Sequence, residues 1–166
     1  GEAGCRRMSR ARSERFARTP TETSRIDSFA TSMLAIETGG ESFVDFTEEV
    51  RRFVGESGVV AGLVTLFVRH TSASLTIQEN ADPDVLTDLT TALRRLAPRA
   101  AGWVHEMEGP DDMPAHIRTM LTATSLQVPV IGGKLALGTW QGIYLIEHRA
   151  APHRREVVLQ VVGGKA

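Results

Sequence analysis

The chain has 166 residues, 42% of them hydrophobic and 23% charged, with a formal net charge of -1. That length supports one domain with a core of its own, and the near-neutral charge gives no electrostatic basis for binding nucleic acid or an anionic membrane. Cys5 is the only cysteine, which excludes an internal disulfide framework and a thiolate zinc cluster within one chain, and no apolar run approaches the roughly 20 residues of a membrane helix.

Residues 1–24 are rich in Arg, Ser and Thr and poor in large apolar side chains, so they are expected to form a basic, disordered tail. Glu14 and Glu22 count against a transit peptide, and Met8 is an alternative initiator. The folded domain is expected over residues 25–166, in the cytoplasm. "FATSMLAIET" alternates loosely and reads as a strand closed by Gly39 and Gly40, and "ESFVDF" as a short second strand. "TEEVRRFVGES" predicts a helix with Thr47 as N-cap and Val50, Phe53 and Val54 on its apolar stripe. "GVVAGLVTLFVRH" is the strongest strand signal, and "TSASLTIQE" stays extended. In "ADPDVLTDLTTALRRLAP", Asp82 caps a helix, Pro83 fits its first position and Pro98 stops it. Leu86, Leu89, Leu93 and Leu96 form one face of that helix. A short strand is expected around Trp103, a third helix from Asp112 to about Thr122, and closing strands in "SLQVPVIGG", "GIYLIEHR" and "REVVLQVV". Strands and helices do not alternate regularly, so the fold class is α+β with a mostly antiparallel sheet.

The histidines are the best lead to chemistry. In an extended chain Leu66, Val68, His70, Ser72 and Ser74 point the same way, so an inward apolar face turns polar at His70. Glu79, Asn80 and Asp82 follow closely. The plain alternative is a strand end emerging into solvent. "HEMEGPDDMPAHIRTM" sets His105 and His116 among Glu106, Glu108, Asp111 and Asp112. Pro114 must lie in the first helical turn, because an interior proline costs about 3 kcal/mol. Asp111 or Asp112 then sits at the N-cap, and Asp112 and His116, four apart, share a face. Two uses compete: a capped surface turn, or the convergence of Asp112, His116, His105 and Glu108 on a divalent cation or a phosphate. Tyr144, Ile146 and His148 share a strand face, so His148 also ends an apolar row. Thr139 and the glycines of "LGTWQG" can offer donors to a phosphate, Trp140 reads mainly as packing, and His153 as solvated. There is no G-x-S-x-G, no P-loop and no G-x-G-x-x-G after a strand.

Together "HTSASLTIQENADPDV", "HEMEGPDDMPAHIRTML" and "LALGTWQGIYLIEHR" resemble the YjbQ-like family, also described as secondary thiamine-phosphate synthase enzymes, from about Ser28 to Gly163. The resemblance implies a compact α+β subunit, a homotrimer and a polar cleft, with a weak thiamine-phosphate synthase-type activity. That reaction couples a hydroxymethylpyrimidine diphosphate to a thiazole phosphate and releases pyrophosphate; the physiological substrate can differ. On this reading His70, Asp112, His116 and His148 are the catalytic candidates. Ser72, Glu79, Asn80, Glu108 and Thr139 are expected to bind ligand. His105, His116 and His148 are the expected ligands of a divalent metal, Mg or Zn, with no other cofactor. The expected partner is a small phosphorylated molecule, with Arg69, Lys134 and Arg149 as the nearest cations for it. A metal-dependent hydrolase or lyase, and a non-enzymatic metal- or ligand-binding trimer, are the alternatives. None of these readings involves nucleic acid or a membrane.

Overall fold

The structure, a computed structural model, describes residues 15–166, so the disorder expected of residues 1–14 lies outside the described residues. Arg15 to Asp27 are exposed. Eight strands and three helices follow: β1 (Ser28–Thr38), β2 (Ser42–Asp45), α1 (Thr47–Ser57), β3 (Val59–Val68), β4 (Ala73–Glu79), α2 (Pro83–Leu96), α3 (Asp112–Leu121), β5 (Ser125–Ile131), β6 (Lys134–Leu135), β7 (Gln141–Glu147) and β8 (His153–Lys165). All pairings are antiparallel, in a five-stranded sheet ordered β1-β8-β3-β5-β6 and a three-stranded sheet ordered β2-β7-β4. The α+β class expected from the sequence is the one observed. No described helix is long and apolar enough to cross a membrane.

The core lies between the two sheets. Val64, Leu66 and Val68 of β3 and Val157, Leu159 and Val161 of β8 meet Leu75 of β4 and Ile143 and Leu145 of β7, with Val50, Phe53 and Val54 of α1 in the same cluster. The alternation of buried residues from Arg155 to Gly163 along β8 is the period-2 signature of a sheet with one covered face. One end of this core is closed by charge rather than by apolar side chains. Glu147 ends β7 fully buried, and its carboxylate accepts from Arg155 Nη2 at 2.5 Å and Nε at 2.8 Å and from Thr38 Oγ1 at 2.6 Å.

Two local expectations need correction. Thr47 is not the cap of α1. Asp45 Oδ1 takes the Thr47 N–H at 2.9 Å and its hydroxyl at 2.6 Å, so the aspartate two residues earlier holds the helix start. No strand forms around Trp103. Residues 97–111 are a loop, in which the Trp103 indole N–H donates to Pro98 O at 2.9 Å. Elsewhere the punctuation reads as expected: Asp82 accepts from the Asp84 N–H at 2.9 Å, and α2 stops at Leu96 ahead of Pro98. The apolar stripe of α2 is not buried. No residue of the helix is buried, and Leu89, Leu93 and Leu96 border an apolar groove of about 440 Å³ against Leu75 and Ile146.

Candidate metal centre

The site is built where the loop 97–111 enters α3. Pro114 lies buried in the first turn, as its missing N–H requires, and this fixes the register of Asp112 and His116. Asp111 occupies the N-cap position, yet its side chain makes no cap. Its Oδ2 instead accepts from Arg149 Nε at 3.0 Å and from the Ala150 N–H at 2.8 Å. Asp112 does not cap either. It is 1% exposed, and its two oxygens divide the work. Oδ1 accepts from Arg149 Nη1 at 2.7 Å. Oδ2 lies 2.6 Å from His105 Nε2 and 3.1 Å from His116 Nε2. Burial opposes ionisation of Asp112, but the His105 contact and the charges of Arg149 and His116 outweigh it and hold the carboxyl below the usual carboxylate range.

The other side of His116 decides what this cluster can do. Its Nδ1 is 3.0 Å from Thr71 O. A carbonyl only accepts, so Nδ1 carries the ring proton, and in a neutral imidazole Nε2 is then a lone pair. A lone pair facing a carboxylate oxygen at 3.1 Å is repulsive unless the ring is an imidazolium or a cation lies between them. Tying the far N–H of an imidazole to a backbone carbonyl is also the usual way a metal-ligating histidine is oriented. The ligand atoms of His105, Asp112 and His116 all lie within 4.8 Å of one another. A tetrahedral site with bonds of about 2.0 Å has edges of about 3.3 Å. The 3.1 Å edge is close to that value, and the 2.6 Å edge would have to lengthen for a cation to be held there. The donor set, two imidazoles and one carboxylate, therefore fits a divalent cation and leaves a fourth position open.

His148 does not join this set. It is 1% exposed on the face of β7 that also carries Ile146, with Nε2 2.8 Å from Ser74 Oγ, a hydroxyl bonded in turn to Thr122 Oγ1 at 2.6 Å. Burial first, and the Arg118 charge second, push its pKa down to about 4. A neutral, sequestered imidazole bonded to a serine is a packing group, and the carboxylate that stands with His105 and His116 is Asp112. His70 is also tied into the fold: Nε2 accepts the Glu156 N–H at 2.8 Å, and burial followed by the Arg155 charge lowers its pKa. Ser72 Oγ accepts from Arg155 Nη2 at 2.9 Å. Glu108 contributes its backbone oxygen, which accepts from Arg149 Nη2 at 2.7 Å, while its carboxylate is 66% exposed.

Glu79, Asn80 and Thr139 lie elsewhere. Glu79 pairs with Gln141 at one end of the β4–β7 ladder, and Ala73 pairs with Glu147 at the other. Six residue steps of about 3.3 Å put these two ends about 20 Å apart, so the fold of the chain does not bring these three residues to the His105 cluster. Trp140, at the same far end, is 63% exposed. Of the cations, Arg69 pairs with Glu156 at 3.1 Å and Lys134 lies on the edge strand β6. All three guanidinium nitrogens of Arg149 are engaged by Asp111, Asp112 and Glu108 O, which makes it a positioning residue for the cluster. Arg155 was not visible as a site-bordering residue, because "HRREVV" reads as an exposed loop running into a strand. The signal that could have found it is the period of two: Arg155 falls on the same face as Val157, Leu159 and Val161, which are buried.

Residues 32–164 match the family described as UPF0047 protein YjbQ-like. A UPF0047 protein of Synechocystis is 54% identical over 132 residues, 79% of this chain and 90% of the relative. UPF0047 protein YjbQ of Salmonella typhimurium is 42% identical over 118 residues, 70% of this chain and 86% of the relative. The crystal structure of a YjbQ/UPF0047 family protein from Clostridium acetobutylicum, at 39% identity, superposes with a TM-score of 0.73 over 78% of this chain and 98% of that one. The chain belongs to the UPF0047/YjbQ-like family.

Proposed function

We propose that the chain is an enzyme with a divalent metal ion held by His105, Asp112 and His116, acting on a small phosphorylated molecule. The observation that carries this reading is the His116 ring, whose Nδ1 is committed to Thr71 O while Nε2 faces the buried Asp112 carboxylate. Bound there, a divalent cation supplies positive charge for a phosphate or diphosphate group. The residues of the chain do the rest. Arg149 holds Asp112 ionised and aimed, Thr71 O fixes the His116 ring, and the rigid start of α3 keeps both on one face.

The specific reaction proposed is thiamine-phosphate synthase-type transfer. The C–O bond of a hydroxymethylpyrimidine diphosphate breaks with its electron pair leaving on pyrophosphate. The thiazole nitrogen lone pair forms the new C–N bond, and no proton is exchanged. Hydrolysis or elimination on another small molecule is the second reading, favoured by a three-donor set of the number common in hydrolytic zinc sites. Purified protein supplied with Mg or Zn separates them. Transfer releases pyrophosphate only when both the pyrimidine diphosphate and the thiazole phosphate are present. Hydrolysis releases it from the first alone. No release under either condition, with the metal bound, defeats the transferase reading.

We propose further that the protein works as a homotrimer. Support comes from the outer face of the five-stranded sheet, where the cross-strand rows Met33–Val158–Phe67, Thr31–Gln160–Thr65 and Phe29–Val162–Leu63 contain no charge. Phe29 and Phe67 are 66% and 46% exposed on it. A contiguous uncharged sheet face of this kind marks a protein interaction surface. Light scattering at micromolar concentration is expected to return three times the chain mass, and a monomer mass refutes it.

A further inference from the structure

The metal cluster shares one wall with a cavity. The loop 97–111 folds over a space of about 340 Å³ lined by Arg99, Gly102, Trp103, His105, Glu106 and Pro110. This lies within the range of small-ligand pockets, about 300–1,000 Å³. His105 belongs to both, with Nε2 on Asp112 and its ring in the cavity wall, so a molecule in the cavity has its reacting end beside the metal ligands. The arginines nearest the cluster are committed to protein partners: Arg69 to Glu156, Arg149 to Asp111 and Asp112, and Arg155 to Glu147. Arg99 makes no hydrogen bond or ion pair among the described residues, and it lines the cavity. Trp103 stands in the same wall, its indole N–H tied to Pro98 O, which leaves the ring as an apolar surface with no unmet donor. Gly102 turns the chain between them at φ +71°, a left-handed conformation that side chains disfavour.

We propose that this cavity is the substrate pocket and that Arg99 is its specificity-determining residue, seating the anionic group of a phosphate ester whose organic part packs against Trp103. The proposal rests on the metal-centre reading for which end of the substrate reacts, but not for the presence of the anion seat. A guanidinium presents planar paired donors that match phosphate oxygens, and an aromatic wall supplies area at little conformational cost. Glu106 is the one acidic group in the wall. It works against an anion, so its neutralisation should tighten binding.

The test titrates the full-length, zinc-supplied protein with phenyl phosphate and with methyl phosphate, with zinc content read by elemental analysis. Arg99→Gln is expected to weaken phenyl phosphate at least tenfold with zinc content unchanged, and Arg99→Lys to recover part of the loss. Trp103→Leu should weaken phenyl phosphate and leave methyl phosphate within twofold, and Glu106→Gln should tighten both. An Arg99→Gln protein that binds phenyl phosphate within twofold of wild type, or a wild type that binds neither ester, overturns the inference. Zinc retained with no contribution from Arg99 defeats the pocket and leaves the metal centre standing. Loss of phenyl phosphate on Arg99→Gln in a protein that holds no zinc keeps the anion seat and defeats the metal centre.

Discussion

Acidification should destabilise the fold through His148 before the carboxylates titrate. The ring is 1% exposed and bonded to Ser74, and burial together with Arg118 depresses its pKa from 6.5 to about 4. Below pH 6.5 the unfolded chain takes up a proton that the folded chain refuses. Stability therefore falls as pH falls, from about 6.5 down to about 4, at ~1 kcal/mol per pH unit. This amounts to about 2 kcal/mol lost between pH 7 and pH 5, out of a typical total of ~5–15 kcal/mol. His148→Gln keeps a polar group near the Ser74 hydroxyl and cannot titrate. Urea denaturation at pH 7, 6 and 5 should give a wild-type slope about 1 kcal/mol per pH unit steeper than that of the variant. The absolute stability of the variant is immaterial, because the slope is the readout. Parallel stability-versus-pH curves would refute the assignment of His148 as a buried neutral group.

Arg149→Met should keep the fold while lowering metal affinity ~10–100-fold, the usual effect of losing a group that orients a ligand; competition against a chelator measures it, and unchanged affinity removes Arg149 from the site. Glu147→Gln leaves Arg155 buried without its counter-charge and should cost about 3 kcal/mol, seen as a lower urea midpoint. The ion pair and Thr38 outweigh burial and hold the Glu147 pKa below its ordinary value, so its contribution is present above the unfolded carboxylate value of about 4.5 and is lost as pH falls through the folded one. Removing residues 1–24 should move the thermal midpoint by no more than about 2 °C, less than 1 kcal/mol for a chain of this size. Cutting further should not be tolerated, because Asp27 pairs with Gly163 O and the Lys165 N–H.

The parts of the fold legible in the sequence were those with a local cause. Asp82, Pro83 and Pro98 bracket α2 by capping and by proline's missing donor, and the β-branched run at Val59–Val68 can scarcely be anything but a buried strand. Pro114 fixed the register of α3, and with it the pairing of Asp112 and His116 four residues apart. What was not legible depends on contacts far along the chain. Asp45 holds the start of α1 through its Oδ1 on the Thr47 N–H two residues along, and is itself placed by the pairing of β2 with β7. That His148 stands apart from the His105–Asp112–His116 cluster is not legible, because a histidine ending an apolar row looks the same whether it opens into a cleft or closes onto Ser74. The loop at Trp103 looked strand-like from its aromatic residue, but Gly102 at φ +71° and the indole bond to Pro98 O fold it back on itself.

The most direct measurement is the metal content of the purified protein and of His116→Ala, after incubation with zinc and removal of the excess, with circular dichroism on both. The account predicts about one zinc per chain in the wild type, little in the variant, and superimposable spectra, because His116 is part-exposed near the helix start and contributes little to the core. Equal zinc in the two proteins, or none in either, would contradict it.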